Sequence, residues 1–379
     1  MPPGGTHRIR TRPRPPLRKA EVSVVVPVFN YGPYLEPCIR SVLLQDGVDV
    51  DVLILDDAST DHSLQVAEKI AAEDSRVRVI AHTHNRGHIP TVNEGMAAVS
   101  SEYVVKLDAD DMLTEGSLKR SVALLQAFPS VGFVYGLPWV ITDDCASPGI
   151  GASPDIGHPW DPGLVRTRPR SWTIWPGHDW LRTRARRPHN PIMQPEAVIR
   201  LSALRRAGIY HPELPHTSDF EMWMRLAARG DVGRVNGAYQ GVKREHPASM
   251  SRTVNAGLLT DITERARAVD SFLDECAPLL PGAAAMAGRA HRAIAREALG
   301  HAVSAYARGA PDTEPVDGYV ALARSIWPDA EGLRDWRLVQ RLRYQDKATL
   351  TAHPQLRARE VLRDLGSRAQ WRRWKWSGT

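Results

Sequence analysis

The sequence predicts an α/β fold with a mostly parallel sheet, followed by a wholly helical region. Three observations carry this. Apolar, β-branched runs alternate with helix-patterned segments from Val22 to about residue 136, and such alternation implies right-handed crossovers between parallel strands. Acids recur where those runs end, at Asp56 and Asp57 and again at Asp108, Asp110 and Asp111. From about residue 255 to 368 the pattern is helical, rich in Ala, Arg and Leu, with breaks at Pro281, Gly309–Pro315 and near Pro328.

The elements follow in order. "VSVVVPV" is a buried-type strand, and a helix follows over about 34–45. "VDVLILD" is the second strand. "STDHSLQVAEKIAAED" is an amphipathic helix with Ser59 and Thr60 as candidate caps. "RVRVIAH" is a third strand, "IPTVNEGMAAV" a helix and "YVVKL" a fourth strand. "TEGSLKRSVALLQAF" is a helix and "VGFVYG" a fifth strand. Residues 143–190, with Pro, Gly, Trp and Arg, read as a long lid or acceptor-binding loop. Regular structure returns in "QPEAVIRLSALRRAGIY" and "SDFEMWMRLAARG". In the latter, Ser218 and Glu221 have capping-box spacing, and Phe220, Trp223, Met224 and Ala227 follow a buried helical stripe. The domains expected are a disordered basic arm over 1–20, an α/β domain over 21–254 and a helical domain over 255–379.

Charge and cysteines narrow the classes. The net charge of +6 equals the six cations of residues 1–20, Arg8, Arg10, Arg12, Arg14, Arg18 and Lys19. Residues 21–379 are therefore balanced, which argues against nucleic acid as a partner. Cys38, Cys145 and Cys276 are odd in number, far apart and without a CxxC, which points to a reducing cytosol. No apolar run approaches the ~20 residues of a membrane helix, and the N-terminus has no apolar core of a secretory signal.

"VVKLDADDML" packs Asp108, Asp110 and Asp111 into four positions at a strand's end. Like charges that close repel and raise each other's pKa. A solvated turn, an acid/base carboxylate pair and a site for a hard divalent cation are the three readings. Ligands collect at the carboxyl ends of parallel strands, and Mg²⁺ or Mn²⁺ takes few protein oxygens when phosphates complete its shell. The chain lacks the glycine-rich phosphate loops of dinucleotide and P-loop folds.

Residues 22–251 resemble the family 2 glycosyltransferases with the GT-A fold. The matching pieces are "VSVVVPVFNYGPYLEPCIRSVLLQ", "LILDDASTD", "NRGHIPTVNEG", "LDADD", "SDFEMWMRLA" and "REHPASMS". The resemblance implies inverting sugar transfer from a nucleotide-sugar, usually a UDP-sugar, with Mn²⁺ or Mg²⁺. It assigns Pro27, Val28, Phe29 and Asn30 to the nucleoside pocket, Asp57 to the base, Arg86 to the base or diphosphate, Asp108 to the ribose or sugar and Asp111 to the donor sugar. Asp110 and His246 become metal ligands, and Asp219 the general base. Relatives often carry a second acid directly before that base, where this chain has Ser218. The rival readings are a nucleotidyltransferase and a noncatalytic sugar- or nucleotide-binding protein. The acceptor stays open among saccharide, lipid carrier, natural product and peptide. The ending "SRAQWRRWKW" mixes Trp371, Trp374 and Trp376 with cations. It suits either peripheral contact with an anionic bilayer or packing on the helical domain or on a second copy in a homodimer.

Overall fold

The structure is a computed structural model that describes residues 8–142, 166–246, 257–345 and 354–378. The parallel half of its sheet is built around strand β2 (Glu21–Val28), in which only Glu21 is exposed. A strand apolar on both faces needs cover on both. Parallel strands β3 (Asp49–Asp56) and β5 (Tyr103–Lys106) flank it, with Val24 opposite both Val52 and Val105. Strand β4 (Val77–Ala81) adds to β3, again parallel. Helices α1 (Gly32–Leu43), α2 (Ser63–Glu73), α3 (His88–Ala98) and α4 (Ser117–Ala127) make the connections. Leu35, Ile39, Val122 and Leu124 join Val24, Val26, Val52 and Ile54 in the core.

Beyond β5 the sheet becomes mixed. β6 (Met112–Leu113), β7 (Val131–Thr142), β8 (Ser171–Trp175), β9 (Val198–Arg200) and β10 (Asp231–Glu245) complete it. With β1 (Ile9–Thr11) at one edge, the order is β1-β8-β10-β7-β9-β5-β2-β3-β4, with β6 on β10. β9 is antiparallel to both β5 and β7, whereas β10 runs parallel to β7. This is a GT-A type sheet, and it turns β10 so that its C-terminal end meets the ends of the parallel strands.

Two expectations fail here. The arm over 1–20 is ordered from Arg8 on, while residues 1–7 lie outside the described residues. Strand β1 (Ile9–Thr11) pairs antiparallel with β8, Arg10 Nε donates to Ser171 Oγ at 3.1 Å, and Arg8 sits 5.3 Å from the Trp175 ring. Backbone pairing at a sheet edge needs no apolar side chains. The long loop expected over 143–190 contains β8 and helix α5 (Gly177–Arg186). Trp172, Trp175 and Trp180 are buried, and that burial holds the segment in regular structure. Residues 143–165 lie outside the described residues.

The chain divides into two units, residues 1–180 with 190–254, and residues 181–189 with 255–379. Placing 181–189 with the helices departs from the expected boundary. Its cause is local: Arg265 donates to the Pro188 carbonyl at 3.0 Å, and Glu297 pairs with His189 at 3.2 Å. The second unit contains α8 (Leu258–Cys276), α9 (Ala283–Ala307), α10 (Val316–Ile326), α11 (Arg334–Leu342) and α12 (Pro354–Ser377). Three of the four breaks between these helices fall where the prolines and glycine predict, and the fourth, after Leu342, was not expected. No helix among the described residues is long and apolar enough to cross a membrane.

Candidate active site

Strands β2, β3 and β5 deliver their ends to one edge of the sheet. At the end of β2, Pro27 and Val28 are buried, while Phe29 is 42% exposed and Asn30 is exposed. The exposed pair is thus what β2 offers to a ligand. Asn30 joins two loops: its amide donates to Ser59 Oγ at 3.0 Å, and its side-chain oxygen accepts from the Thr60 amide at 2.8 Å. Ser59 and Thr60 are therefore not the caps of α2, which starts at Ser63 with Asp61 accepting the Ser63 amide at 2.8 Å. Asn30 and Ala58 both have left-handed backbones, at φ 61° and 60°. Asparagine tolerates this region; alanine does so at a cost of roughly 1–2 kcal/mol. Ala58→Gly is expected to raise stability by about 1 kcal/mol; an unchanged or lowered denaturation midpoint would show that Ala58 is not strained.

Asp57 lies at the head of a closed polar ring. Its carboxylate accepts from the Arg86 amide at 2.8 Å, the Gly87 amide at 2.9 Å and His82 Nδ1 at 2.8 Å. His82 Nε2 stands 3.1 Å from Glu94, and Glu94 accepts from the exposed Arg86 guanidinium at 2.7 Å. Burial pushes the Asp57 carboxyl up, but the two amides and His82 outweigh it and leave it below the usual range. Three of its acceptor positions are thus spent on holding the loop after β4. His82 and Glu94 belong to this site although the sequence reading passed them over.

The acid cluster follows β5. Lys106, itself buried, pairs with Asp108. Burial pushes the Asp108 carboxyl up, but the Lys106 and His88 charges bring it below the usual range. Asp111 goes the other way, raised by burial and then by the charges of Asp110 and Asp108. β10 supplies the counterparts. The Arg244 amide donates to Asp111 Oδ1 at 2.9 Å, and Arg244 Nε donates to the Asp110 carbonyl at 3.1 Å. His246, just past β10, has Nε2 at 3.1 Å from Asp110 Oδ2. Its ring stacks on Tyr34 at 4.8 Å and meets Tyr31 edge-on at 5.7 Å. The structure thus brings together Asp108, Asp110, Asp111 and His246 from distant segments.

Asp219 stands in the first turn of α7 (Ser218–Arg229). Its carboxylate accepts from Asn190 Nδ2 at 2.7 Å, Gln194 Nε2 at 3.3 Å and the Phe220 amide at 2.6 Å. Tyr210 donates to Gln194 at 3.3 Å behind it. Burial raises the Asp219 carboxyl, opposed by the Phe220 amide, Lys106 and Lys243 and assisted by Asp108. A place in a helix's first turn favours an ionised carboxylate, but burial outweighs that here. The same charges place Asp219 in the electrostatic field of the acid cluster. The capping box is absent: no side chain caps α7, because Glu221 turns inward to Arg225, at 2.7 and 2.8 Å. Arg225 also donates to the carbonyls of Ala207 and Ile209. Phe220, Trp223, Met224 and Ala227 are buried as the helical stripe predicts.

Residues 23–145 match the family described as "Glycosyl transferase family 2". That match covers 123 of the 379 residues. Over 211 residues it is 24% identical to an uncharacterized glycosyltransferase of Haemophilus influenzae, covering 55% of this chain and 61% of the relative. Over 98 residues it is 33% identical to the glycosyltransferase GlyG of Streptococcus pneumoniae, covering 26% and 33%. A third relative is the GalNAc(5)-diNAcBac-PP-undecaprenol beta-1,3-glucosyltransferase of Campylobacter jejuni, 32% identical over 117 residues, covering 31% and 37%. The chain thus spans between a third and three-fifths of the length of these relatives. Among solved structures, residues 1–349 of S. aureus TarS with UDP-GlcNAc align at a TM-score of 0.53, 16% identity, covering 80% of this chain and 91% of that one. The mannosyltransferase PcManGT of Pyrobaculum calidifontis, in complex with GDP-Man and Mn²⁺, aligns at 0.50 and 16%, covering 94% and 90%. At that identity the likeness is one of fold. Lys106, Asn190, Gln194 and Arg244 also contact the acids described above; only Lys106 left a trace in the sequence, as a cation inside an otherwise apolar strand.

Proposed function

We propose that this protein transfers a sugar from a nucleotide-sugar donor, with a UDP-sugar placed first, to an acceptor hydroxyl with inversion at the anomeric carbon. The observation that carries this reading is the gathering of Asp108, Asp110, Asp111 and His246 at the strand ends, in a unit that also holds Asp219 fixed by Asn190 and Gln194 in the first turn of α7. The binding of UDP-GlcNAc by one fold neighbour and of GDP-Man by another supports a nucleotide-sugar donor. Phe29 and Asn30 face the nucleoside, with Pro27 and Val28 forming the floor beneath them. Asp57 and Arg86 hold its base end, and Asp108 and Asp111 face the ribose and donor sugar.

The residues fit a divalent cation. His246 Nε2 and Asp110 Oδ2 approach to 3.1 Å, an imidazole nitrogen beside a carboxylate oxygen, a pair that suits Mn²⁺ better than Mg²⁺. Among the described residues no group of three or more His, Cys, Asp or Glu holds a metal by itself, so diphosphate oxygens are needed to complete a shell on Asp110 and His246. Such an ion would supply charge stabilisation for the departing diphosphate. Asp219 takes the proton from the acceptor hydroxyl as that oxygen bonds to the anomeric carbon. The bond from that carbon to the diphosphate oxygen breaks on the opposite face, and the diphosphate leaves with the electron pair. One displacement inverts the configuration, as in inverting glycosidases with the acceptor in place of water. Asn190 and Gln194 hold the Asp219 carboxylate in position.

The product's anomeric configuration, read by NMR, tests this: it should be opposite to that of the donor, and retention would remove Asp219 as base in a single displacement. Asp110→Asn should lower metal-dependent transfer by about a hundredfold or more while the fold stays intact. Near-normal turnover at low Mn²⁺ would take Asp110 out of the ligand set.

A further inference from the structure

We propose that the outward face of α12 docks on an anionic lipid bilayer as a peripheral contact. This rests on the helical unit alone and stands apart from the transfer reading. One side of α12 is fixed within its unit. Leu356 and Trp374 are buried, Glu360 accepts from Ser304 at 2.7 Å and Arg308 at 2.8 Å, and Arg359 pairs with Asp335 at 2.7 Å. The buried Trp374 shows that this tryptophan packs inward, so it is not the residue that meets a surface.

The opposite side is different in kind. Val361, Leu362 and Leu365 are 59%, 68% and 54% exposed. Large aliphatic side chains seldom stand that open in a cluster on a helix. Ala358 and Ala369 are exposed beside them, and Arg368, Arg372 and Arg373 continue the same face over the next two turns. Arg368 and Arg372 form no ion pair among the described residues. From Gly366 to Gly378 the sequence contains four cations and no acid. The face is therefore aliphatic over its first two turns and cationic over its last two.

Charge complementarity selects the occupant. A second copy would bring arginines against a face that offers no described carboxylate. Nucleic acid would use the arginines but leave three aliphatic side chains wet, and single-strand binding relies on aromatic stacking. An anionic bilayer takes both: aliphatic side chains enter the acyl boundary while arginines meet headgroups.

The test is co-sedimentation of the full chain with vesicles of phosphatidylcholine alone and of phosphatidylcholine with phosphatidylglycerol. Pelleting should be at least about tenfold stronger with the anionic vesicles and should weaken with salt. The double variants Leu362→Glu/Leu365→Glu and Arg368→Glu/Arg372→Glu should each lose it, with denaturation midpoints close to wild type because these side chains are exposed. Equal pelleting with both vesicle types overturns the proposal, as does retention of binding by either folded variant. Tighter binding of an RNA or DNA oligonucleotide than of vesicles would assign the face to nucleic acid. A dimer in light scattering that Leu362→Glu/Leu365→Glu dissolves would assign it to a second copy.

Discussion

Asp219→Asn should lose about 10²–10⁴-fold in transfer rate while its affinity for nucleoside diphosphate stays near wild type. The carboxylate is held by Asn190, Gln194 and the Phe220 amide, and an asparagine fits the same space without accepting a proton. The pH dependence follows from the raised carboxyl. A base works only when ionised, so kcat/KM should fall as pH drops through a pKa above the ordinary carboxylate value of about 4. The sign for stability is opposite. A carboxyl whose pKa is higher folded than unfolded binds its proton more tightly in the folded state. It therefore weakens folding at neutral pH, and that cost is absent below the unfolded value. Asp219→Asn should then unfold at or above the wild-type temperature at pH 7. A variant that transfers near normally, or that loses nucleotide affinity in step with rate, would remove Asp219 as base.

Glu221→Gln should be among the most destabilising substitutions in the first unit, by about 3–5 kcal/mol. Glu221 is fully buried and meets Arg225 at 2.7 and 2.8 Å. Without its charge, the buried Arg225 cation loses its paired carboxylate and is left with neutral acceptors such as the Ala207 and Ile209 carbonyls. The pair ties the first turns of α7, and so Asp219, to the end of α6 (Leu201–Ala207). The double variant Glu221→Leu/Arg225→Met removes both charges and should recover much of the loss. Chemical denaturation of the three proteins measures this; a loss below about 1 kcal/mol in Glu221→Gln would mean that the pair behaves like an exposed one.

The sequence made the parallel half of the sheet legible because its signals are local. β2, β3 and β5 are apolar runs, the latter two with acids after them, and periodicity alone locates them. The antiparallel joins of β8, β9 and β10 depend on pairings far apart in sequence, which no local pattern carries. Residues 8–20 scatter a few apolar side chains among Arg and Pro and so read as solvated, yet Ile9–Thr11 needs only its backbone to pair with β8. Ser218 and Glu221 had the spacing of a capping box, but Arg225 lies at the competing i+4 position from Glu221 and won it. Asp108, Asp110 and Asp111 stand out because three acids in four positions repel one another, whereas Asp219 by local pattern could equally be an acid that only stabilises a helix start. Asn190, Gln194, His82 and Glu94 were not legible, since amides and partnered charges are common on any surface and only the tertiary fold aims them.

The most direct test is release of nucleoside diphosphate by the full chain from a panel of UDP-, GDP- and dTDP-sugars with Mn²⁺ or Mg²⁺. At least one donor should be turned over, with release dependent on the cation and lost in both Asp110→Asn and Asp219→Asn. Tight binding of a donor with no release from any member of the panel, across acceptor mixtures, would contradict sugar transfer and leave a nucleotide-sugar-binding protein.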